Sequence, residues 1–442
     1  MINRYLGNKQ SIMTPLLDVV AQHANPGDHV ADMFSGSLSV SLGLKRAGYQ
    51  VTANDVNLFS SVLAEAYLLR DAPPVPFVDA LLPEQPYRAE LERAAAATVA
   101  ALRGSRGYAF LENEAWRADF TLFVTLLEHL NRIEYEQLSA QFRRSDIFDA
   151  YSEAGRFSAF TSSRGATGRR RFFSPANAQR IDLVLNQLRA WQAESLLDAH
   201  TYNLVLAVLL RAVEKVSNTQ GTYHDFPRNR WDSRALGSIR LEPPALDDSL
   251  GGVGGHRAGR EHDSLEFMAE VAPHKVLYLD PPYNFRQYSA YYFMPNVLSR
   301  YAEIEDLDGY FGNLKFVRGQ NPDDDFTSTF CKPSQFIGDM ARLIERAECE
   351  TVMISYFTGK NHWTEFDSGP NDTGREMLTR LLTGDGFEPD SLEVHEISRR
   401  NYASYGGYTA RTIDELIFTA RIRHDEDHDT GGSIHNRVQA VG

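Results

Sequence analysis

The sequence is poor in cysteine and in long apolar runs. Only two of its 442 residues are cysteines, Cys331 and Cys349, and their spacing fits no metal-binding pattern. We therefore expect no disulfide framework and no metal site, and a reducing compartment, the cytoplasm, is the expected location. The first ten residues contain no apolar signal core, and no run is long and apolar enough to span a bilayer, so we expect no membrane partner.

Positive charge is scarce as well. The chain has 45 lysines and arginines against 59 aspartates and glutamates, which gives a formal net charge of -14. This balance argues against a protein that coats nucleic acid without specificity, but it leaves room for an enzyme with one local basic groove. With 43% hydrophobic residues the chain is globular, and its length predicts two or three domains.

Both ends of the sequence have an α/β pattern. Residues 30–34 are an apolar run followed by a Gly/Ser turn, a helix that Gly48 should end, and a second strand at residues 50–55. Further strands are predicted at residues 275–280 and 351–357, with a closing antiparallel pair at 391–397 and 415–422. Strand–helix–strand order predicts a parallel sheet that binds ligands at the carboxyl ends of its strands.

The middle of the chain has a different pattern. Residues 87–216 repeat their apolar positions at helical spacing, which predicts a helical insertion. Within it, residues 162–173 are rich in arginine and glycine and are predicted to form a loop. Residues 242–261 are rich in proline and glycine, and we expect a mobile loop there.

The strongest chemical signal is Asp280-Pro281-Pro282-Tyr283, directly after an apolar strand. Taken alone, a strand that ends in two prolines is also an ordinary turn. In an α/β chain, however, the tetrapeptide favours a site that activates an exocyclic amine. The Asp280 carboxylate and the Pro281 carbonyl can accept hydrogen bonds from the NH2 group and aim its lone pair, and Tyr283 offers a ring for stacking an extruded base.

In their order, these segments resemble the Dam-type (class alpha) family of adenine-specific DNA methyltransferases. "RYLGNK" (4–9) resembles the N-terminal cofactor motif, "ADMFSGSLSV" (31–40) the glycine turn, "AND" (53–55) the end of the second strand, and "LYLDPPYNFRQYS" extends the catalytic match. The resemblance implies a mostly parallel, doubly wound Rossmann-like sheet with a C-terminal antiparallel hairpin and an inserted helical domain. It also implies S-adenosylmethionine as cofactor and double-stranded DNA as partner, with N6 of a flipped adenine as target.

The resemblance also assigns residues to the cofactor. It implies that Lys9 lies near the methionine carboxylate and that Asp55 holds the ribose hydroxyls, although Asp55 also suits a helix cap. A second family glycine is replaced by Leu38, which we expect to narrow the cofactor pocket. The predicted cofactor-binding residues are Tyr5, Gly7, Lys9, Asp32, Phe34, Ser35, Gly36, Asp55 and Asp263.

Two arginine clusters are predicted to bind DNA, and solvated loops are the alternative for each. Both clusters have phenylalanine neighbours whose rings could stack, among them Phe172 and Phe173. Arg399, Arg400 and Tyr402 form a weaker third patch. The predicted DNA-binding residues are Arg169, Arg170, Arg171, Arg228 and Arg230.

The predicted organisation has four parts: a cofactor-binding half at 1–80, a helical DNA-recognition insertion at 81–200, a catalytic half with accessory helices at 201–425, and a disordered tail at 426–442. Methylation of cytosine N4 or of RNA adenine stays open, because both present a similar amine. A non-catalytic nucleic-acid-binding subunit that keeps the fold is the alternative of another class. The sequence does not distinguish a stand-alone methylase from one with a restriction or defence-system partner.

Overall fold

The chain forms two compact units. Its structure, a computed structural model, describes residues 5–82, 87–314, 316–358, 361–363, 372–400 and 412–424. The sheet unit comprises residues 7–61, 253–288 and 326–442. The helical unit comprises residues 1–6, 62–252 and 289–325. The predicted tail at 426–442 and Tyr402 lie outside the described residues, and so does the side chain of Arg400.

Seven of the strands in the described residues form one sheet, in the order β5-β2-β1-β6-β7-β9-β8. In chain order the strands are β1 His29–Asp32, β2 Gln50–Ala53, β3 Ala159–Thr161, β4 Thr167–Arg169, β5 Arg257–Ala258, β6 His274–Leu279, β7 Cys349–Phe357, β8 Glu393–Arg400 and β9 Thr412–Arg421. The pairs from β5 to β7 are parallel, whereas β9 runs antiparallel to both β7 and β8. The predicted parallel sheet with a closing antiparallel pair is confirmed.

The inner strands have apolar residues in their middle because both faces of a parallel sheet are covered. Val30, Val276 and Val352 are fully buried in three neighbouring strands. Where a loop was predicted at residues 242–261, β5 adds two residues to the sheet edge, with Thr52 of β2 opposite Arg257.

The helices connect and cover these strands. In chain order they are α1 Met13–Val20, α2 Ser39–Arg46, α3 Leu58–Leu63, α4 Val78–Leu81, α5 Arg88–Leu102, α6 Glu114–Arg132, α7 Asp146–Tyr151, α8 Pro175–Ala193, α9 Ala199–Val216, α10 Ser264–Phe267, α11 Tyr288–Tyr291, α12 Phe293–Arg300, α13 Leu307–Gly312, α14 Pro333–Glu345 and α15 Thr373–Leu382. Gly48 follows α2 at φ +92°, as the sequence predicts for a residue that ends a helix. Gly43 lets α1 approach α2, since a Cβ there would lie 2.4 Å from the Met13 sulfur.

The helical unit is built on four long helices, α5, α6, α8 and α9. Side chains cap three of their amino termini: Asn113 accepts from Trp116 N, Ser174 from Asn177 N, and Asp198 from Thr201 N. The unit is not helical throughout, because β3 and β4 form an antiparallel hairpin, and β4 lies within the segment at residues 162–173 that was predicted as a loop. Across the described residues, no helix has the length and apolar character needed to cross a membrane.

Candidate active site

The carboxyl ends of β1, β2 and β6 carry the polar residues that the sequence singles out. β1 ends at Asp32, β2 is followed by Asn54 and Asp55, and β6 is followed by Asp280. The three strands are parallel neighbours, so these residues meet at one edge of the sheet. The structure therefore brings the predicted catalytic tetrapeptide and the predicted glycine turn together within the sheet unit.

A buried lysine lies at the centre of this edge. The Lys9 ammonium is 2.9 Å from Asp280 Oδ1 and 2.7 Å from Glu415 Oε1, and it donates to the Tyr283 hydroxyl at 3.3 Å. Its side chain is 1% exposed. Burial alone would lower the pKa of Lys9, but Asp280 and Glu415 raise it well above its ordinary value. Lys9 therefore stays charged and forms ion pairs with two carboxylates.

Glu415, on β9, is a site residue that the sequence analysis missed. Its Oε1 accepts from Lys9 and from the Ser355 hydroxyl at 2.9 Å, and its Oε2 accepts from Arg399 Nε at 2.8 Å. Burial opposes ionisation, but the charges of Lys9 and Arg399 hold the pKa of Glu415 below its ordinary value. The glutamate is 0% exposed and lies just before three buried apolar residues of β9, so no residue type near it in sequence signalled a polar role.

Arg399 belongs to this cluster rather than to a third DNA-binding patch. Its guanidinium bonds Glu415 and lies 5.1 Å from the centre of the Phe357 ring. Only 14% of the side chain is exposed. The prediction of a nucleic-acid contact at Arg399 is therefore not supported by its position, because its charge is already matched by a buried carboxylate.

Asp280 keeps access to solvent that its partners lack. Its side chain is 14% exposed, against 1% for Lys9 and 0% for Glu415. Burial raises the pKa of Asp280 to about 6, and the charge of Lys9 opposes that rise. At neutral pH the carboxylate is therefore mostly ionised, and it is the member of the cluster that a ligand can reach.

The Tyr283 ring is held on several sides. It stacks on Phe357 at 5.6 Å with an interplanar angle of 30°, and it meets Tyr356 edge-on. Gly7, at φ +84°, passes so close that a Cβ there would lie 3.1 Å from the Tyr283 hydroxyl. Gly7 is thus explained by close approach and a left-handed backbone. The stacking role of Tyr283 toward a base stays a prediction.

The glycine turn after β1 is tied to the end of β2. Gly36 N donates to Asp55 Oδ2 at 2.9 Å, and Gly36 O accepts from the Ser60 hydroxyl at 2.7 Å. Ser35 N donates to the Asn54 carbonyl. Phe34 packs edge-on against Phe330. Asp55 therefore supports the turn itself, in addition to any contact with a ligand.

Leu38 takes the conformation that a glycine would adopt without strain. Its φ is +65°, in the left-handed region, and it precedes the first residue of α2. Its side chain is fully buried. The backbone thus keeps the geometry of a glycine position while the leucine fills a space in the interior.

The acidic residues predicted to bind cofactor have local partners. Asp55 Oδ1 accepts from Asn57 N and Nδ2, which is a side-chain turn rather than a cap on α3. Asp32 is fully buried, accepts from Ser41 at 2.6 Å, and burial raises its pKa to about 7. Asp263 caps α10 by accepting from Leu265 N. These roles are structural, and contact with a cofactor stays a prediction for all three.

Tyr5 is the one predicted cofactor residue that falls in the helical unit. It stacks on Tyr292 with ring centres 4.6 Å apart. The neighbouring Leu6 N donates to the Tyr292 hydroxyl at 2.7 Å. Tyr5 therefore forms an aromatic pair with Tyr292, the residue that precedes α12.

The two predicted DNA-binding clusters lie side by side in the helical unit. Arg171 donates to the Arg228 carbonyl at 3.0 Å and pairs with Glu153 at 2.5 Å. Asn218, which is 0% exposed, donates from its amide to the carbonyls of Arg171 and Arg230. Sequence analysis missed Asn218, whose single polar side chain joins the two segments.

Arg170 and its aromatic neighbours are a correction to the predicted surface. Arg170 is 2% exposed, and its guanidinium donates to the carbonyls of Val317, Phe157 and Phe316. Phe172 and Phe173 are fully buried. Arg170 is thus buried between the exposed Arg169 and the half-buried Arg171. It serves packing in this structure, and contact of Arg170 with DNA stays a prediction.

The remaining arginines keep accessible charge. Arg169 is exposed and donates to the Gly155 carbonyl at 2.9 Å. The Arg228 guanidinium lies 5.0 Å from the Phe160 ring centre, beside Asp225, and its side chain is 39% exposed. Arg230 is exposed. We call Arg169, Arg171, Arg228 and Arg230 the basic surface, and DNA contact by it stays a prediction.

Sequence comparisons give relatives of one kind. The Type II methyltransferase M.FokI of Planomicrobium okeanokoites is 24% identical over 94% of this chain and 52% of its own length. The modification methylase LlaI of Lactococcus lactis subsp. lactis is 26% identical over 94% of this chain and 54% of its own length. The Type II methyltransferase M.NlaIII of Neisseria lactamica is 31% identical over 43% of this chain and 53% of its own length. The chain spans about half the length of the curated relatives it matches.

A family profile matches residues 5–95 and 110–324, which is more than half of the chain. The matched stretch contains Lys9, the glycine turn and the Asp280 tetrapeptide, the residues that the fold assembles at one sheet edge. The resemblance drawn from the motifs is thereby confirmed. The chain belongs to the D12 class of N6 adenine-specific DNA methyltransferases.

Proposed function

We propose that this chain transfers a methyl group from S-adenosylmethionine to the N6 amine of adenine in double-stranded DNA. The observation that carries the proposal is the Asp280 carboxylate, partly exposed at the carboxyl end of β6 and backed by a buried, charged lysine. It lies at the same sheet edge as the Gly36 turn, where a nucleotide-like cofactor binds in parallel α/β sheets.

Asp280 and the rigid turn after it prepare the amine. The adenine N6 lone pair is delocalised into the ring, so it must be localised before it can attack. The Asp280 carboxylate and the Pro281 carbonyl accept one hydrogen bond each from the NH2 group, which leaves the lone pair aimed away from both. When the new nitrogen–carbon bond has formed, the nitrogen loses one proton, and the ionised Asp280 is a ready acceptor.

The residues present fit the cofactor. Asn54 Oδ1 is buried and accepts no hydrogen bond within the described residues, and Asp55 Oδ2 accepts only the Gly36 N–H there. Both can accept from ribose hydroxyls, while the Gly36 turn lets backbone approach closely. When bound, S-adenosylmethionine supplies an electrophilic methyl on a sulfonium, whose carbon–sulfur bond electrons stay on sulfur.

The target adenine must leave the helix. Its N6 amine is paired inside the duplex and cannot approach a pocket at a strand end, so the base is rotated out and stacked against Tyr283. The basic surface then serves to hold the DNA backbone. Assignment of recognition to residues 81–200 rests on Arg169 and Arg171 of that surface and on the interruption of the α/β pattern there.

A protective role in the cell follows from the relatives, which are named as modification methylases and Type II methyltransferases. We extend that role to this chain, with a restriction nuclease of the same specificity or a defence system as its partner. A cell that carries the cognate nuclease should survive with the active chain and not with an inactive one.

The reaction is tested by incubating the purified chain with double-stranded DNA and S-adenosylmethionine, followed by mass spectrometry of the nucleosides. The expected product is N6-methyladenine. N4-methylcytosine alone would move the chain to the cytosine alternative, and methylation of RNA but not DNA would move it to the RNA alternative. Absence of any methylated nucleoside, with the cofactor bound, would favour the non-catalytic alternative.

A further inference from the structure

The carboxylate cluster beneath the proposed amine site holds more charge than a catalytic aspartate requires. Four charged side chains meet there, Lys9, Arg399, Asp280 and Glu415, and they sum to zero. Replacing a whole buried ion cluster by well-packed apolar residues is often neutral or stabilising, so stability alone does not explain these charges. The presence of a fully buried glutamate there calls for a reason.

We propose that Glu415 is a positioning residue that shares Lys9 with Asp280, so that the ammonium supports the catalytic carboxylate without occupying it. The inference rests on the proposed function. Glu415 touches neither the substrate amine nor the cofactor, and it acts only through the place of the Lys9 ammonium.

The geometry favours Glu415 as the principal partner of Lys9. The Lys9–Glu415 distance is 2.7 Å, and the Lys9–Asp280 distance is 2.9 Å. Glu415 is itself fixed, because Ser355 donates to the oxygen that faces Lys9 and Arg399 donates to the other. An acceptor held by strands β7 and β8 from both sides cannot follow the lysine, so the lysine is held in place by it.

The position of Lys9 decides what Asp280 can accept. A carboxylate has about four lone-pair sites, and a single ammonium contact at Oδ1 leaves most of them for the amine. Without Glu415, the ammonium would be free to centre on Asp280 and take the sites that the amine needs. Lys9 therefore keeps Asp280 ionised, and Glu415 keeps it available to the amine.

The charges around Asp280 predict the direction in which each variant should shift the pH dependence of methylation. The groups that act on it are Lys9, Glu415, Arg399, Tyr283, Tyr278 and Asp32. Lys9 lowers the pKa of Asp280 and Glu415 raises it. The methylation rate should fall at low pH as Asp280 becomes protonated, and we call this fall the acidic limb. Loss of the glutamate charge should move the acidic limb to lower pH, and loss of the lysine charge should move it to higher pH.

The experiment compares the single-turnover methylation rate between pH 5 and 9 for the wild-type chain, Glu415→Gln and Lys9→Met, with duplex DNA and saturating cofactor. For Glu415→Gln we expect a plateau rate at least about tenfold lower and an acidic limb about one pH unit lower. For Lys9→Met we expect the limb to move upward. Glu396→Gln, the same substitution at an exposed residue of β8 that pairs with Arg375, is the matched control and should behave as wild type.

The outcomes separate the inference from the function. If a folded Glu415→Gln chain keeps the plateau rate and the acidic limb of the wild type, the role of Glu415 is overturned while methylation itself stands. The same holds if the acidic limb shifts in the same direction in Glu415→Gln and Lys9→Met. An inactive wild type would overturn the proposed function and the inference with it. If Glu415→Gln does not fold, Glu415→Asp decides: its shortened carboxylate keeps the charge but withdraws from Lys9, so a lowered plateau with a limb near the wild-type pH is expected, and a wild-type plateau would contradict the inference.

Discussion

The two units arrange their charges in opposite ways. In the sheet unit, Lys9, Arg399, Asp280 and Glu415 are buried and neutralise one another. In the helical unit, the basic surface keeps arginine charge at the exterior, and only part of it is paired with acids such as Glu153 and Asp225. The chain is strongly acidic, yet it keeps arginine charge accessible on the basic surface and pairs Lys9 and Arg399 with carboxylates in the sheet unit.

This difference separates two uses of a basic side chain. A cation in a low-dielectric interior sets the ionisation and geometry of one carboxylate, and its removal acts on chemistry. A cation at the exterior acts over a distance that salt screens, and its removal acts on association. The comparison predicts that variants of the two groups fail in different assays.

The largest effect is expected at the carboxylate itself. Asp280→Ala should lower the methyl-transfer rate by about a hundredfold or more, because the amine loses the acceptor that aims its lone pair. Cofactor affinity, measured by calorimetry, should stay nearly unchanged. Normal turnover in the purified variant would show that the buried cluster is not the centre of the chemistry.

Arg170 should behave as a buried residue although it lies between two residues of the basic surface. Arg170→Met removes charged hydrogen bonds to three carbonyls, and we expect it to lower the free energy of unfolding by about 3 kcal/mol. Chemical denaturation of the full chain measures this. A stable variant with weakened DNA binding would place Arg170 with the exterior group instead.

The exterior group should affect DNA binding through salt. Replacing both Arg228 and Arg230 with glutamine should weaken binding to every sequence alike and reduce the slope of log affinity against log salt by roughly two, about one for each phosphate that an arginine no longer neutralises. Arg103→Gln, at an exposed helical-unit residue paired with Glu112, is the matched control. An unaltered slope would mean that the basic surface is solvated and unrelated to DNA.

The smallest effect is expected at Leu38, where the backbone has a conformation that favours glycine but the leucine side chain is buried. Both Leu38→Ala and Leu38→Gly lose a buried side chain, but only glycine relieves the left-handed φ of +65°. We therefore expect the glycine variant to be the more stable of the two by about 1 kcal/mol, the reverse of the usual order. The difference in unfolding free energy between the two variants measures it, and an alanine variant of equal or greater stability would argue against strain.

Much of the fold could be predicted because its signals are local. Gly48 ends α2, and apolar runs mark β1, β6 and β7. The short strands were missed because they carry little local signal: β5 has two residues and lies in a glycine-rich stretch, and β3 and β4 have three each on either side of residues 162–166. Their pairing comes from register with a neighbour rather than from any pattern of their own.

The site residues also differ in whether the sequence around them carries a local signal. Asp280 and Gly36 carry motif signals, so their place at the sheet edge could be anticipated. Glu415 could not, because it reaches the site through antiparallel pairing of β9 with β7, hundreds of residues from Lys9. The burial of Arg170 was equally hidden, because three consecutive arginines carry no signal that separates one of them from its neighbours.

The central claim is that Asp280 makes this chain an adenine-N6 methyltransferase of DNA. Its most direct test is methylation-sensitive sequencing of DNA from cells that express either the wild-type chain or Asp280→Ala at equal levels. We expect N6-methyladenine at one recurring sequence with the wild-type chain and none above background with the variant. The same methylated sites in both cultures, or none in either, would contradict it.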